Sequence, residues 1–179
     1  MAAPQGVPDR TGIAGAVHRL TVLWALGGGL VLTGVVAVNV ATVLGGIFGM
    51  PFPGDFELTE IGTAIAAFMF LPWCQMTGAN VTADIFTARA SPRWIAGFTL
   101  LAAAVALGFS LLLLVQMQAG MADQRRYGYV TAILQVRIWW GFVPILASLA
   151  LLAASALVTL IEAGRDLAAG GGPRDGTRG

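Results

Sequence analysis

Three carboxylates stand together in FPGDFELTEIG (residues 52–62): Asp55, Glu57 and Glu60, directly ahead of a long apolar run. Carboxylates in this spacing can bind a cation, start a helix, or meet a basic group on another protein. An ion-coupling site needs a carboxylate deep in an apolar setting, with polar neighbours on an adjacent helix. Glu60 is followed by Ile61, Gly62, Thr63 and Ala64, which supply little for such a site. Asp55 suits the N-cap of a helix and Glu57 its first turn, where negative charge meets the positive end of the dipole. Each placement is worth about 0.3–1 kcal/mol. Glu57 and Glu60, three residues apart, share one helix face and are the first candidates for contact with a partner.

The remaining inventory excludes most chemistry. All ten basic residues are arginine, so there is no lysine for a Schiff base. Cys74, the single cysteine, cannot form an internal disulfide and is expected to pack beside Trp73. His18, the single histidine, rules out a bis-histidine haem or a histidine-rich metal centre within one chain. No catalytic residue, metal ligand or cofactor site is therefore expected. A net charge of +1 gives no bulk attraction to nucleic acid. The amides Asn39, Gln75, Gln116 and Gln118, with Thr77, are the main polar candidates within the apolar runs, and no residue of these runs is charged. Asn39, the most interior of them, is expected to hydrogen-bond a neighbouring helix rather than a substrate.

The elements that must position these residues are membrane helices. Hydrophobic residues make up 57% of the 179 and charged residues only 11%, against roughly 25% charged in a soluble domain. Positions 20–54, 61–83, 94–122 and 138–161 carry no charge. Each stretch exceeds the roughly 20 residues that cross a bilayer core as a helix, and separate short spans must be helical to satisfy their own backbone. The sequence thus predicts an all-α integral membrane protein of four transmembrane helices, near 20–48, 58–78, 94–117 and 138–161. These form a membrane domain over 19–163, between a flexible N-terminus (1–18) and a flexible C-terminal tail (164–179). The first apolar stretch is too long for the core of a cleaved signal peptide and is expected to be retained.

Pro51 and Pro53 end the first helix. Trp94, Trp139 and Trp140 suit the membrane interface. With the N-terminus cytoplasmic, Arg10, Arg19, Arg89, Arg93, Arg165, Arg174 and Arg178 share that side, against Arg125, Arg126 and Arg137 on the other. Seven against three predicts both termini inside. Short interfacial helices are expected in the loops: one over 79–93, carrying Ile85, Phe86 and Ala88, and a similar element within 118–138. Gly27, Gly28, Gly29, Gly34, Gly45 and Gly49 either permit close helix packing or reflect composition alone.

The stretch PGDFELTEIGTAIAAFMFLPWCQMTGANVTADIF resembles the small membrane subunit of tripartite ATP-independent periplasmic (TRAP) transporters. The resemblance lies in Pro53, Gly54, Glu57, Leu58 and Glu60, then in Gly78, Asn80, Val81 and Asp84, and again in TAILQVRIWWGFVP through Thr131, Leu134, Val136, Ile138 and Trp139. It spans roughly residues 20–162. Asn80 stands where the family often has histidine and Arg137 where it often has proline, and an arginine–tyrosine pair near the end of the first helix is absent. The resemblance implies a non-enzymatic subunit in the bacterial inner membrane. It would brace a large elevator-type membrane subunit that carries an organic acid, and help dock a periplasmic binding protein. Glu57, Glu60, Asn39, Asn80, Asp84 and Trp139 are the candidate interface residues. Two alternatives are an autonomous small channel or transporter using Asn39 and Glu60 as polar steps, and a membrane enzyme or electron carrier.

Overall fold

The structure, a computed structural model, describes residues 13–50, 52–77 and 92–168, without the side chains of 13, 92–96, 166 and 167. Four helices run in chain order: α1 (Ile13–Ile47), α2 (Asp55–Thr77), α3 (Pro92–Tyr127) and α4 (Trp139–Ala168). The all-helical class and the four elements agree with the sequence. Helix α1 already includes 13–18 and α4 runs on through 164–168, where flexible tails were expected. The rest of both tails (1–12 and 169–179), positions 79–91 of the expected loop helix, the candidates Asn80 and Asp84, and the side chain of Trp94 lie outside the described residues.

Three helices are long and apolar enough to cross a membrane, over Ala14–Ile47, Gly97–Tyr127 and Trp139–Arg165. The segment α2 falls short of the other three because Glu57, Glu60, Pro72 and Gln75 dilute its apolar residues. The connection at 118–138 departs from expectation. No separate interfacial helix forms there: α3 continues to Tyr127, and the rest is a short turn closed by a bridge between Val130 and Arg137. Nothing between Gln116 and Tyr127 breaks a helix, and Arg125 and Arg126 in the last turn complement the negative end of its dipole. The helix stops at Gly128, where the Tyr129 N–H donates back to the Gln124 carbonyl at 3.3 Å.

The helices pack in the order α1, α2, α4, α3, with a slight α1–α4 contact; α3 makes no close backbone approach to α1 or α2. The centre of this row is α4, which buries Ile145, Leu149 and Leu152 against Ile65 and Phe68 of α2 and Leu113, Leu114 and Met117 of α3. Buried small residues, among them Ala66, Ala103, Ser110, Ser148, Ser155 and Ala156, let the backbones approach. On α1 the glycines divide. A Cβ on Gly28 would stand 3.0 Å from the Met69 Cβ, so this position needs glycine for the α1–α2 crossing. Gly29 and Gly34 face open space.

Two polar ties fix α1. The Trp24 indole N–H donates to the Ser148 hydroxyl at 2.8 Å, and Ser148 donates onward to the Pro144 carbonyl at 2.7 Å. The Asn39 amide donates to the Thr59 hydroxyl of α2 at 2.7 Å and to the Val35 carbonyl at 2.9 Å. In lipid such interhelical bonds average about 0.6 kcal/mol and reach about 2. The outer faces of the end helices stay uncovered: Leu23, Leu30 and Val43 on α1, and Leu101, Val105 and Phe109 on α3, are exposed.

Candidate functional site

The acidic stretch enters α2 through Gly54, whose carbonyl accepts the first helical bond from the Leu58 N–H at 3.1 Å. Gly54 therefore takes the N-cap position expected of Asp55, and Asp55 moves one residue into the first turn beside Glu57. Gly54 has φ 85°, a conformation other residues resist, and the Leu134 side chain fills the space where a Cβ would stand. Sequence proximity could not reveal this contact, since 80 positions separate the two residues.

Glu57 explains why Leu134 is there. One carboxylate oxygen accepts the Ile133 N–H at 2.7 Å and the other accepts the Leu134 N–H at 3.0 Å. The turn they belong to is closed on itself. The Thr131 N–H donates to the Val136 carbonyl at 2.9 Å, the Val136 N–H to the Thr131 hydroxyl at 3.1 Å, and the Ile138 N–H to the Tyr129 carbonyl at 3.2 Å. Gln135 takes a left-handed conformation, φ 55°, and its side-chain amide donates to the Ala132 carbonyl at 3.1 Å. The bond from Leu134 N–H does most to hold the Glu57 carboxyl below its ordinary pKa. Partial loss of hydration opposes it, and Ile133, Thr131 and Ala132 add to the lowering. Glu57 sits in the first turn, ahead of the apolar run, and its charge is spent on fixing the loop.

Glu60, one turn further along, is exposed and has no hydrogen-bond or ion-pair partner among the described residues. It stands at a groove of about 300 Å³ between α2, the 129–138 turn and the start of α4. Ile61, Ala64, Ile65, Phe142 and Ile145 make its apolar walls, and Thr131 and Ile138 close it on the loop side. Trp139 lies at the start of α4, with the Arg125 guanidinium 5.3 Å from its ring centroid and Trp140 edge-on at 6.0 Å. Asn39 is occupied by Thr59, as its place in an apolar run implied. Thus Glu57, Glu60 and the 129–138 turn form one site, while Asn39 and Trp139 each serve a contact of their own.

The profile for tripartite ATP-independent periplasmic transporters, DctQ component, matches residues 30–166, well over half the chain. The chain belongs to the DctQ family. No curated protein and no solved structure matches it significantly. As a DctQ component it is a multi-pass membrane subunit of a TRAP transporter and not an enzyme, which agrees with the absence of a catalytic constellation in the sequence. The match includes all six residues proposed from the sequence as interface candidates.

The backbone donors of Ile133 and Leu134, the hydroxyl of Thr59 and the Trp24–Ser148 pair were not found by sequence reasoning. The family resemblance did single out Thr131 and Leu134, but nothing local marked them as the partners of Glu57.

Proposed function

We propose that this DctQ component braces the large membrane component of its transporter in the bacterial inner membrane. The observation that carries this reading is the open row of helices. The helices α2 and α4 each pack between two neighbours, while the end helices α1 and α3 turn broad apolar faces outward, open to lipid and to a larger membrane partner. In this reading all four helices cross the bilayer. The segment α2 joins them despite its polar residues, because α1 and α4 cover two of its sides. The arginine distribution supports cytoplasmic termini. The clamped turn then faces the periplasm, where exposed Tyr127, Tyr129 and Ile133 favour contact with the substrate-binding protein. An organic acid is the cargo, and its selection falls to the other components.

Autonomous transport is the weaker reading. Charged residues of the four helices cluster near helix ends, and Asn39 spends its amide donor on Thr59 and Val35. The decisive experiment purifies the chain from native membranes and, separately, reconstitutes it alone. The bracing role expects the large component to copurify and the chain alone to move no solute. Uptake by liposomes holding only this chain would defeat it.

A further inference from the structure

Glu57 and Glu60 differ by three positions, yet their surroundings differ. Glu57 binds two backbone N–H groups, whereas Glu60 meets no partner among the described residues. A carboxylate at the mouth of an apolar groove suits a cation that brings an apolar stem with it. Arginine and lysine have that shape, a hydrocarbon chain that lies along apolar walls and a charged head that reaches a counter-charge. The walls beside Glu60 are Ile61, Ala64 and Ile65 on one helix and Phe142 and Ile145 on the other. The groove, about 300 Å³, has room for such a chain and for a neighbour beside it.

Among the described residues nothing fills this role: no arginine pairs with Glu60, and Arg125 is placed over the Trp139 ring. A phospholipid headgroup is the poorer occupant: an anionic one is repelled by the Glu60 carboxylate, and a zwitterionic one brings its phosphate close behind its ammonium, which weakens the attraction relative to an arginine or lysine. We infer that the groove seats an arginine or lysine side chain of the large membrane component, with Glu60 as its counter-charge. This rests on the bracing role proposed above, and it adds the place and the chemistry of one contact.

The test uses the whole complex, tagged on this chain and extracted in mild detergent. Glu60→Arg places like charge in the groove, and Ala64→Trp fills it. Each is expected to reduce the recovered large component by at least about tenfold, the scale of a disrupted interfacial charge pair. Glu60→Gln is expected to lose less. Among the described residues Glu60 bonds to nothing, so the melting temperature of the isolated Glu60→Arg protein should stay unchanged. Selection for restored uptake in Glu60→Arg cells should return an arginine or lysine of the large component changed to an acidic residue.

Normal recovery with both Glu60→Arg and Ala64→Trp, while the wild type copurifies, overturns the groove contact and leaves the bracing role standing. Failure of the wild type to recover the large component overturns both. A phospholipid seen on the wild type by native mass spectrometry, and displaced by Ala64→Trp without loss of the large component, assigns the groove to lipid and also overturns the inference.

Discussion

Glu57 and Glu60 lie one turn apart on one face of the same helix and carry the same side chain, but their surroundings give them opposite roles. Glu57 is an internal part, since a turn that begins more than seventy residues later delivers two amide donors to it. Glu60 faces an apolar groove with no cation beside it among the described residues. The difference comes from what folds against each residue, because the helix itself treats them nearly alike. A carboxylate satisfied by backbone amides stabilises the loop that holds it, and one left unsatisfied at an apolar wall is available to another molecule.

The largest effect is expected on the clamped side, at Gly54. Gly54→Val forces a β-branched residue into φ 85° and places its Cβ where Leu134 packs. The backbone term alone costs on the order of 1–2 kcal/mol, and displacement of Leu134 adds to it. Thermal unfolding should shift downward, and the Ile133 and Leu134 amides should exchange faster. Unchanged amide protection would mean that Glu57 seats the turn without help from the Leu134 contact.

Next comes the clamp itself. The Glu57 pKa is lowered on folding, so its contribution is complete above the ordinary carboxylate value and is lost as pH falls through the depressed one. Exchange at Ile133 and Leu134, corrected for intrinsic rates, should therefore be flat near neutrality and rise only below the ordinary carboxylate range. Glu57→Ala should raise it by about tenfold or more at neutral pH, consistent with loss of charge-assisted bonds. It should also abolish the acid-dependent step. A step that survives in Glu57→Ala would have to come from another carboxyl group.

The Asn39–Thr59 bond is a milder case of the same kind. Thr59→Val removes the acceptor and leaves the Asn39 amide with the Val35 carbonyl alone. A double-mutant cycle with Asn39→Leu should give a coupling of about 0.6–2 kcal/mol in unfolding experiments. A coupling near zero would show that lipid-exposed alternatives satisfy Asn39 equally well.

These contacts also mark how far the sequence could be read. Charge-free runs located the four helices, because a helix apolar enough to cross a bilayer leaves a long local signature. The same signature was thin over α2, where the acids, Pro72 and Gln75 interrupt it. Asn39 was correctly expected to bond a neighbouring helix, since a buried amide demands a partner, but nothing in the chain order named Thr59. The loop over 118–138 was misjudged because exposed tyrosines and arginines look alike on an extended helix and on an interfacial one. For Glu57, spacing identified a first-turn acid, and the backbone donors that use it carry no sequence signal.

The smallest effect is expected at Asp55, and it is the control for Glu60. Asp55 now stands inside the first turn, with Gly54 as the cap, so its value is its charge at the helix N-terminus, about 0.3–1 kcal/mol. Asp55→Ala should lower the unfolding temperature slightly and leave recovery of the large component and uptake nearly intact. Glu60→Ala should do the reverse, with little change in unfolding and a clear loss of assembly or transport. The two substitutions remove the same charge within two turns of one helix, so bulk electrostatics would make them equal. Equal and negligible losses of assembly would confine both acids to support of the helix start. A selective loss at Glu60 ties the unsatisfied carboxylate to a neighbouring subunit.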